Sequence, residues 1–179
     1  MLETQKNLSD IIFIQEPPRF LLYQLPSYTD PLGDPLYGTS NHPEWTLFLH
    51  QNISQDNYAR VAIYVNKWLL RMRFALCLDI INHHDINILA FHSDYNINFI
   101  INIYSDSNQM ALYFLCQNNI NLDNIIIMMG DFNIRNSGWD PNVHYHSIYT
   151  DDLITIADSL GLKLLPPLNP GPTRFADNP

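Results

Sequence analysis

Ile125-Ile126-Ile127-Met128-Met129-Gly130-Asp131-Phe132-Asn133 is the stretch on which the fold turns. Five apolar residues too few for a helix, closed by a glycine and two polar side chains, predict a buried strand that ends at a corner. On an extended backbone positions i and i+2 project to the same side, so Asp131 and Asn133 are expected to converge. Gly130 lets the chain turn or a ligand approach closely. A carboxylate and a carboxamide placed this way can polarise a water molecule, or bind a phosphate oxygen beside a cation. The competing reading is an ordinary strand-to-loop turn, where Gly, Asp and Asn serve local geometry alone.

Two other strand ends bear on that choice. Ile11-Ile12-Phe13-Ile14-Gln15-Glu16-Pro17 is a second buried run, and it ends in an acid. Glu16 there suits Mg²⁺, which takes one or two carboxylates together with waters and substrate oxygens. A plain exposed glutamate at the start of a loop fits the same letters. Ile100-Ile101-Asn102-Ile103-Tyr104-Ser105 ends in a tyrosine that could hydrogen-bond a phosphate, or could simply be an amphipathic strand-end aromatic.

Outward from these ends, short strand-like runs repeat along the chain. Strands are expected over 45–50, 60–66, 74–81, 86–92 and 98–104, with turns at Asn82-His83-His84-Asp85 and Asp94-Tyr95-Asn96. Residues 17–43, rich in Pro, Gly, Asp and Ser, read as a long loop. Helices are expected over 108–116, capped by Ser107, and over 151–160, capped by Thr150 and stopped by Gly161. Lys163-Leu164-Leu165 suggests one more short strand. Many strands with few helices, joined by loops too short for crossover helices, imply an α+β sandwich of two mostly antiparallel sheets with helices outside.

The chain has 179 residues, enough for one domain with a sizeable core. It is 46% hydrophobic but only 15% charged, and asparagine takes over much of the surface role. A net charge of −9 with nine basic residues leaves little for the basic stripe that carries non-specific nucleic-acid affinity. An acidic enzyme can still act on phosphates through a bound cation. Cys77 and Cys116 lack metal-ligand spacing and are expected to be buried free thiols, which suits a reducing, intracellular compartment. No apolar run reaches the length of a membrane span, and the first residues do not resemble a signal peptide.

In order, strand-Gln15-Glu16, strand-Tyr104 and strand-Gly130-Asp131-Phe132-Asn133 resemble the endonuclease/exonuclease/phosphatase superfamily. Gln15-Glu16-Pro17 is similar to the endonuclease domain of non-LTR (LINE-type) retrotransposons. Trp139, the run from Asp152 to Leu162 and Gly171-Pro172-Thr173-Arg174 look like further marks of that branch. The resemblance covers nearly the whole chain and implies a four-layered α/β sandwich that cleaves DNA phosphodiesters with Mg²⁺ or Mn²⁺. It implies Glu16 as metal ligand, Tyr104 as phosphate contact and Asp131 as the group that orients or deprotonates water. Asn133 would hold the scissile phosphate, and Thr173 would be a lesser, substrate-side position. A parent protein that also carries a reverse transcriptase, working in the nucleus, follows from the same resemblance.

The departures carry expectations too. The superfamily has an asparagine on a first strand well upstream of its Gln-Glu segment, and Asn7 lies too near Glu16 to be it. Its closing strand aspartate and Ser-Asp-His segment have no counterpart before Pro179. His92-Ser93-Asp94 reads as a turn between middle strands, and His144 and His146 as a solvated loop. On this reading residues 1–179 are one incomplete domain with little or no nuclease activity of its own. A catalytically silent remnant, binding at most a metal or a partner, is the alternative, and a small-molecule phosphatase of the same superfamily is a weaker one.

Overall fold

Val61, Ile63 and Val65 point to one side of a strand and Ala62 and Tyr64 to the other, and that alternation places the centre of the molecule. The structure, a computed structural model, describes residues 2–5, 8–17, 23–29, 33, 35–38, 41–50, 58–93, 96–118, 120, 122–137, 142–144, 146–163 and 165. Within them a short helix α1 (Leu2–Gln5) precedes β1 (Ile11–Gln15), β2 (Tyr23–Thr29), β3 (Pro35–Gly38), β4 (Trp45–Leu49) and β5 (Val61–Asn66). A 3₁₀ turn (Lys67–Arg71) leads to β6 (Phe74–Leu76), β7 (Ile86–Ser93), β8 (Asn96–Tyr104), α2 (Met110–Asn118), β9 (Ile125–Asp131) and α3 (Ile148–Ser159). No helix among the described residues is long and apolar enough to cross a membrane.

One sheet has the order β1-β5-β4 and the other β6-β7-β8-β9. All pairings are antiparallel except β8 with β9, which run parallel with α2 between them. The two sheets pack through Ile63, Val65, Leu89 and Ile100, supported by Ile11, Phe13, Phe48, Phe74, Phe91 and Ile127. On the far face of the larger sheet, Ile86, Ile88, Ile101 and Ile103 meet Ala111, Leu112 and Leu115 of α2 and Leu153 and Ile156 of α3. This is the expected α+β sandwich, two packed sheets with helices outside.

Several local expectations are corrected. The stretch expected as one loop over 17–43 contains the β2–β3 hairpin, which among the described residues is a two-stranded sheet paired only with itself, where prolines are tolerated as they are at edges. Its register slips between Gln24 and Thr29, so no alternation marks it. The strand expected over 74–81 stops at Leu76, and His92 and Ser93 belong to β7 rather than a turn. Helix α3 starts three residues early: Ser147 caps it by accepting from the Tyr149 amide, while Thr150 is buried in its first turn. Helix α2 starts late because Gln109 adopts a left-handed backbone (φ 56°) to bury its side chain under Ser105. Lys163 and Leu165 are not in a strand, and Cys116 is exposed because it faces away from the sheet that α2 covers.

Asparagine is not confined to the surface either. Asn102, fully buried between the sheets, donates to the carbonyls of Ile14 (3.1 Å) and Ala62 (2.9 Å) and accepts from Gln15 Nε2 (2.8 Å). One side chain of the larger sheet thus pins two neighbouring strands of the smaller one. Asn102→Leu would leave the Gln15 amide without its acceptor and is expected to cost about 2 kcal/mol. Urea unfolding measures it, and unchanged stability would show that the bonds contribute nothing net.

Candidate active site at the strand-end rim

The end of the sandwich where β1, β8 and β9 finish and β5 and β7 begin gathers the polar residues. β8 and β9 are parallel with Tyr104 in register with Asp131, and the pairing continues as the Ser105 amide donates to the Asp131 carbonyl (2.8 Å). Gly130 is required here by the sheet: a Cβ would be driven into the carbonyl oxygen of Ile103 and stand 2.8 Å from its carbon. Any side chain at that position forces β8 and β9 apart. The glycine's use is therefore a close approach between strands, and its φ is ordinary.

Asp131 and Asn133 are joined by a local turn and not set side by side by simple alternation. β9 ends at Asp131, and Asn133 takes a left-handed backbone (φ 49°). The Asn133 amide donates to Asp131 Oδ1 (3.1 Å), a local turn that folds the loop back over the strand end. Asn133 Nδ2 donates to the Ser105 carbonyl (2.8 Å), and Gln109 Nε2 donates to the Asn133 carbonyl (3.4 Å). Asp131 and Asn133 both remain exposed.

Glu16 arrives from the other sheet. It also has a left-handed backbone (φ 48°), an outlier that its bond to Arg60 helps hold, since its amide donates to the Arg60 carbonyl (2.7 Å). Its carboxylate lies beside the Tyr104 hydroxyl. The phenol is pushed up to about 12, first by burial and then by the Glu16 hydrogen bond, with Asp131 adding to the effect. A raised value favours the folded state: this contribution is whole below the ordinary tyrosine value of 10.0 and is lost as the pH rises through about 12.

The residue that the sequence reading missed is Arg60. Its Nε donates to Asp85 Oδ1 at 2.6 Å, its Nη2 donates to Asp85 Oδ2, and Asp106 Oδ2 accepts from Nη1 (3.4 Å) and Nη2 (3.3 Å). The guanidinium carbon lies 4.7 Å from the centre of the Tyr104 ring. These bonds hold Arg60 well above the usual arginine range, so it is charged at every accessible pH. The signal that could have found it is an arginine and an aspartate opening two otherwise apolar strands, each unexplained by packing.

His83, His84 and Asp85 are the group of metal-type side chains whose ligand atoms meet among the described residues, all within 4.8 Å. Two of the three are already engaged. His83 Nδ1 accepts from the Asp85 amide (3.2 Å), which puts that ring's proton on Nε2, and the Asp85 carboxylate is bound by Arg60. Burial, chiefly, lowers the pKa of both histidines, so the 3.3 Å contact of His84 with Asp85 involves a neutral imidazole rather than an ion pair. Their contribution to stability is whole above pH 6.5 and falls away as the pH drops below it. His144 is exposed, and His146 has both ring nitrogens bonded, to Asn136 (2.6 Å) and Asp151 (2.9 Å). Trp139, Thr173 and Arg174 lie outside the described residues.

The rim thus carries Glu16, Tyr104, Asp131 and Asn133 at one end of the sandwich. Its oxygen donors suit a hard divalent cation. Among solved structures, the chain is similar to "Endonuclease domain of TRAS1, a telomere-specific non-LTR retrotransposon", with a TM-score of 0.55 and 16% identity. That likeness covers 93% of this chain and 65% of the other, so the chain spans about two thirds of that structure's length. At this identity the likeness is one of fold. No curated protein matches. A family match, to the "Endonuclease/Exonuclease/phosphatase family", runs over residues 2–177, essentially the full length in which the three strand ends occur. With its sandwich, its parallel β8–β9 corner and that match in agreement, the chain belongs to the endonuclease/exonuclease/phosphatase family.

Proposed function

We propose that the rim hydrolyses phosphodiester bonds in DNA with the help of Mg²⁺ or Mn²⁺. The observation that carries this reading is the meeting of two carboxylates from different sheets around one tyrosine. The Tyr104 hydroxyl lies beside Glu16, and its strand position is in register with Asp131. Glu16, exposed at its strand end, would hold the cation with water and substrate oxygens completing its shell. When bound, that cation neutralises phosphate charge that an acidic chain would otherwise repel.

The protein's own groups have separate tasks. Asp131 is exposed beside the strand end, free to accept a proton from an attacking water. Asn133 has one amide hydrogen tied to Ser105, which fixes the carboxamide and leaves its other hydrogen to face a phosphate oxygen. Tyr104 stays protonated at neutral pH, and with Glu16 engaged by the cation its one hydroxyl hydrogen would be free to turn to the same phosphate. Thr173 is assigned a substrate-side role through the resemblance.

Supercoiled plasmid with the full chain in Mg²⁺ or Mn²⁺ is the test. Slow nicking that stops on chelation is expected, because catalytic groups act as a unit and the acidic surface repels the duplex. Alongside it, Mn²⁺ binding followed by electron paramagnetic resonance should weaken about tenfold or more in Glu16→Gln. Cleavage indifferent to chelation, or Mn²⁺ binding unchanged by that substitution, would sink the proposal.

A further inference from the structure

The Arg60 pair is not explained by stability alone. Taking two charges out of water costs about as much as their attraction returns, and an apolar pair of similar volume commonly holds strands as well. Asp85 is 1% exposed, and its carbonyl also accepts from the Tyr104 amide (2.9 Å). Arg60 is joined to the rim twice, by its carbonyl on the Glu16 amide and by its guanidinium against the Tyr104 ring. The fork is held from behind by Asp85 and Asp106, so it cannot swing away from that ring to meet an anion.

We propose that Arg60 is a positioning residue of the rim, its clamped guanidinium supporting the Tyr104 ring so that the phenol is fixed against Glu16. The inference rests on the phosphodiesterase reading for its purpose and on geometry for its substance. A planar guanidinium can lie along an aromatic face and still bond a carboxylate with two hydrogens, which an ammonium cannot. The fixed charge offsets part of the negative field of Glu16, Asp106 and Asp131 where a phosphate would approach. Arg60 reaches the chemistry only through Tyr104 and Glu16.

The test labels the full chain with ring-¹³C tyrosine and follows the ring flipping of Tyr104 by NMR at neutral pH, its resonance identified by its loss in Tyr104→Phe. Removing Arg60 alone would strand Asp85, so the paired variant Arg60→Met/Asp85→Leu removes both charges, and its melting curve checks that it folds. Losing the guanidinium should free the ring and speed its flipping severalfold, with Arg60→Lys falling between the wild type and the paired variant. If Arg60 merely neutralises Asp85, the ring of the folded paired variant flips as it does in the wild type, and the proposal is overturned. Should the paired variant unfold, Arg60→Lys decides by the same change, and its absence overturns the proposal equally. Where nicking is measurable, the paired variant should lower kcat about tenfold or more with KM little changed. A chain that never nicks counts against the phosphodiesterase reading, while the ring motion still decides the role of Arg60.

Discussion

Alanine in place of Asp131 is expected to lower Mg²⁺-dependent nicking by about 10²- to 10⁴-fold, the usual worth of a positioned general base. The fold should survive the change. The Asp131 side chain is exposed, and its described bond is the 3.1 Å contact from the Asn133 amide, worth about 1 kcal/mol. A melting curve separates that small structural cost from the kinetic loss. Asn133→Ala is a less clean experiment, since its carboxamide also ties the loop to Ser105. Nicking that persists at the original rate in Asp131→Ala would remove this carboxylate from the chemistry.

The second large effect concerns stability. Arg60→Met leaves the Asp85 carboxylate, 1% exposed, without either of its guanidinium bonds. Breaking a buried pair from one side costs about 3–5 kcal/mol, a large part of the stability of a domain this size. Arg60→Met/Asp85→Leu should recover most of that loss, because no uncompensated charge remains. Asp106 is better placed to turn to water, with 23% of its side chain exposed. Urea unfolding of the single and double variants measures the difference. A single variant as stable as the wild type would mean that Asp85 finds water or a proton without penalty.

What could be read from the residues was whatever alternation and strand ends encode. The β5 sequence Val61-Ala62-Ile63-Tyr64-Val65 announces its two faces, and the run before Asp131 announces a strand, though not its half-exposed place at the sheet's end, where Ile126 and Met129 face outward. Glu16, Tyr104, Asp131 and Asn133 were all nameable because each closes such a run, although nothing local says that the ends meet. Pairings across long separations were invisible. Arg60 and Asp85 are 25 residues apart, Asn102 and Ala62 are 40 apart, and polar letters alone do not reveal that they are buried against one another. Helix starts were misplaced where several capping residues crowd together, as Ser147 and Thr150 do. The left-handed turn at Asn133 was likewise hidden, since an extended continuation would have satisfied the same letters.

Glu16 directly follows a strand of one sheet, and Tyr104 and Asp131 end strands of the other. The span between the two carboxylates is therefore gauged by the thickness of the hydrophobic filling between the sheets, about 10 Å in packed sandwiches. Ile63, Val65, Leu89 and Ile100 act as shims, and Asn102 as a dowel that stops the plates from sliding. A displacement of about 1 Å at a reacting centre can cost a hundredfold in rate. Side chains such as Phe48 and Phe74, which touch no part of the rim's chemistry, thereby share in setting its aperture. Trimming or enlarging them recalibrates the tool without touching its jaws.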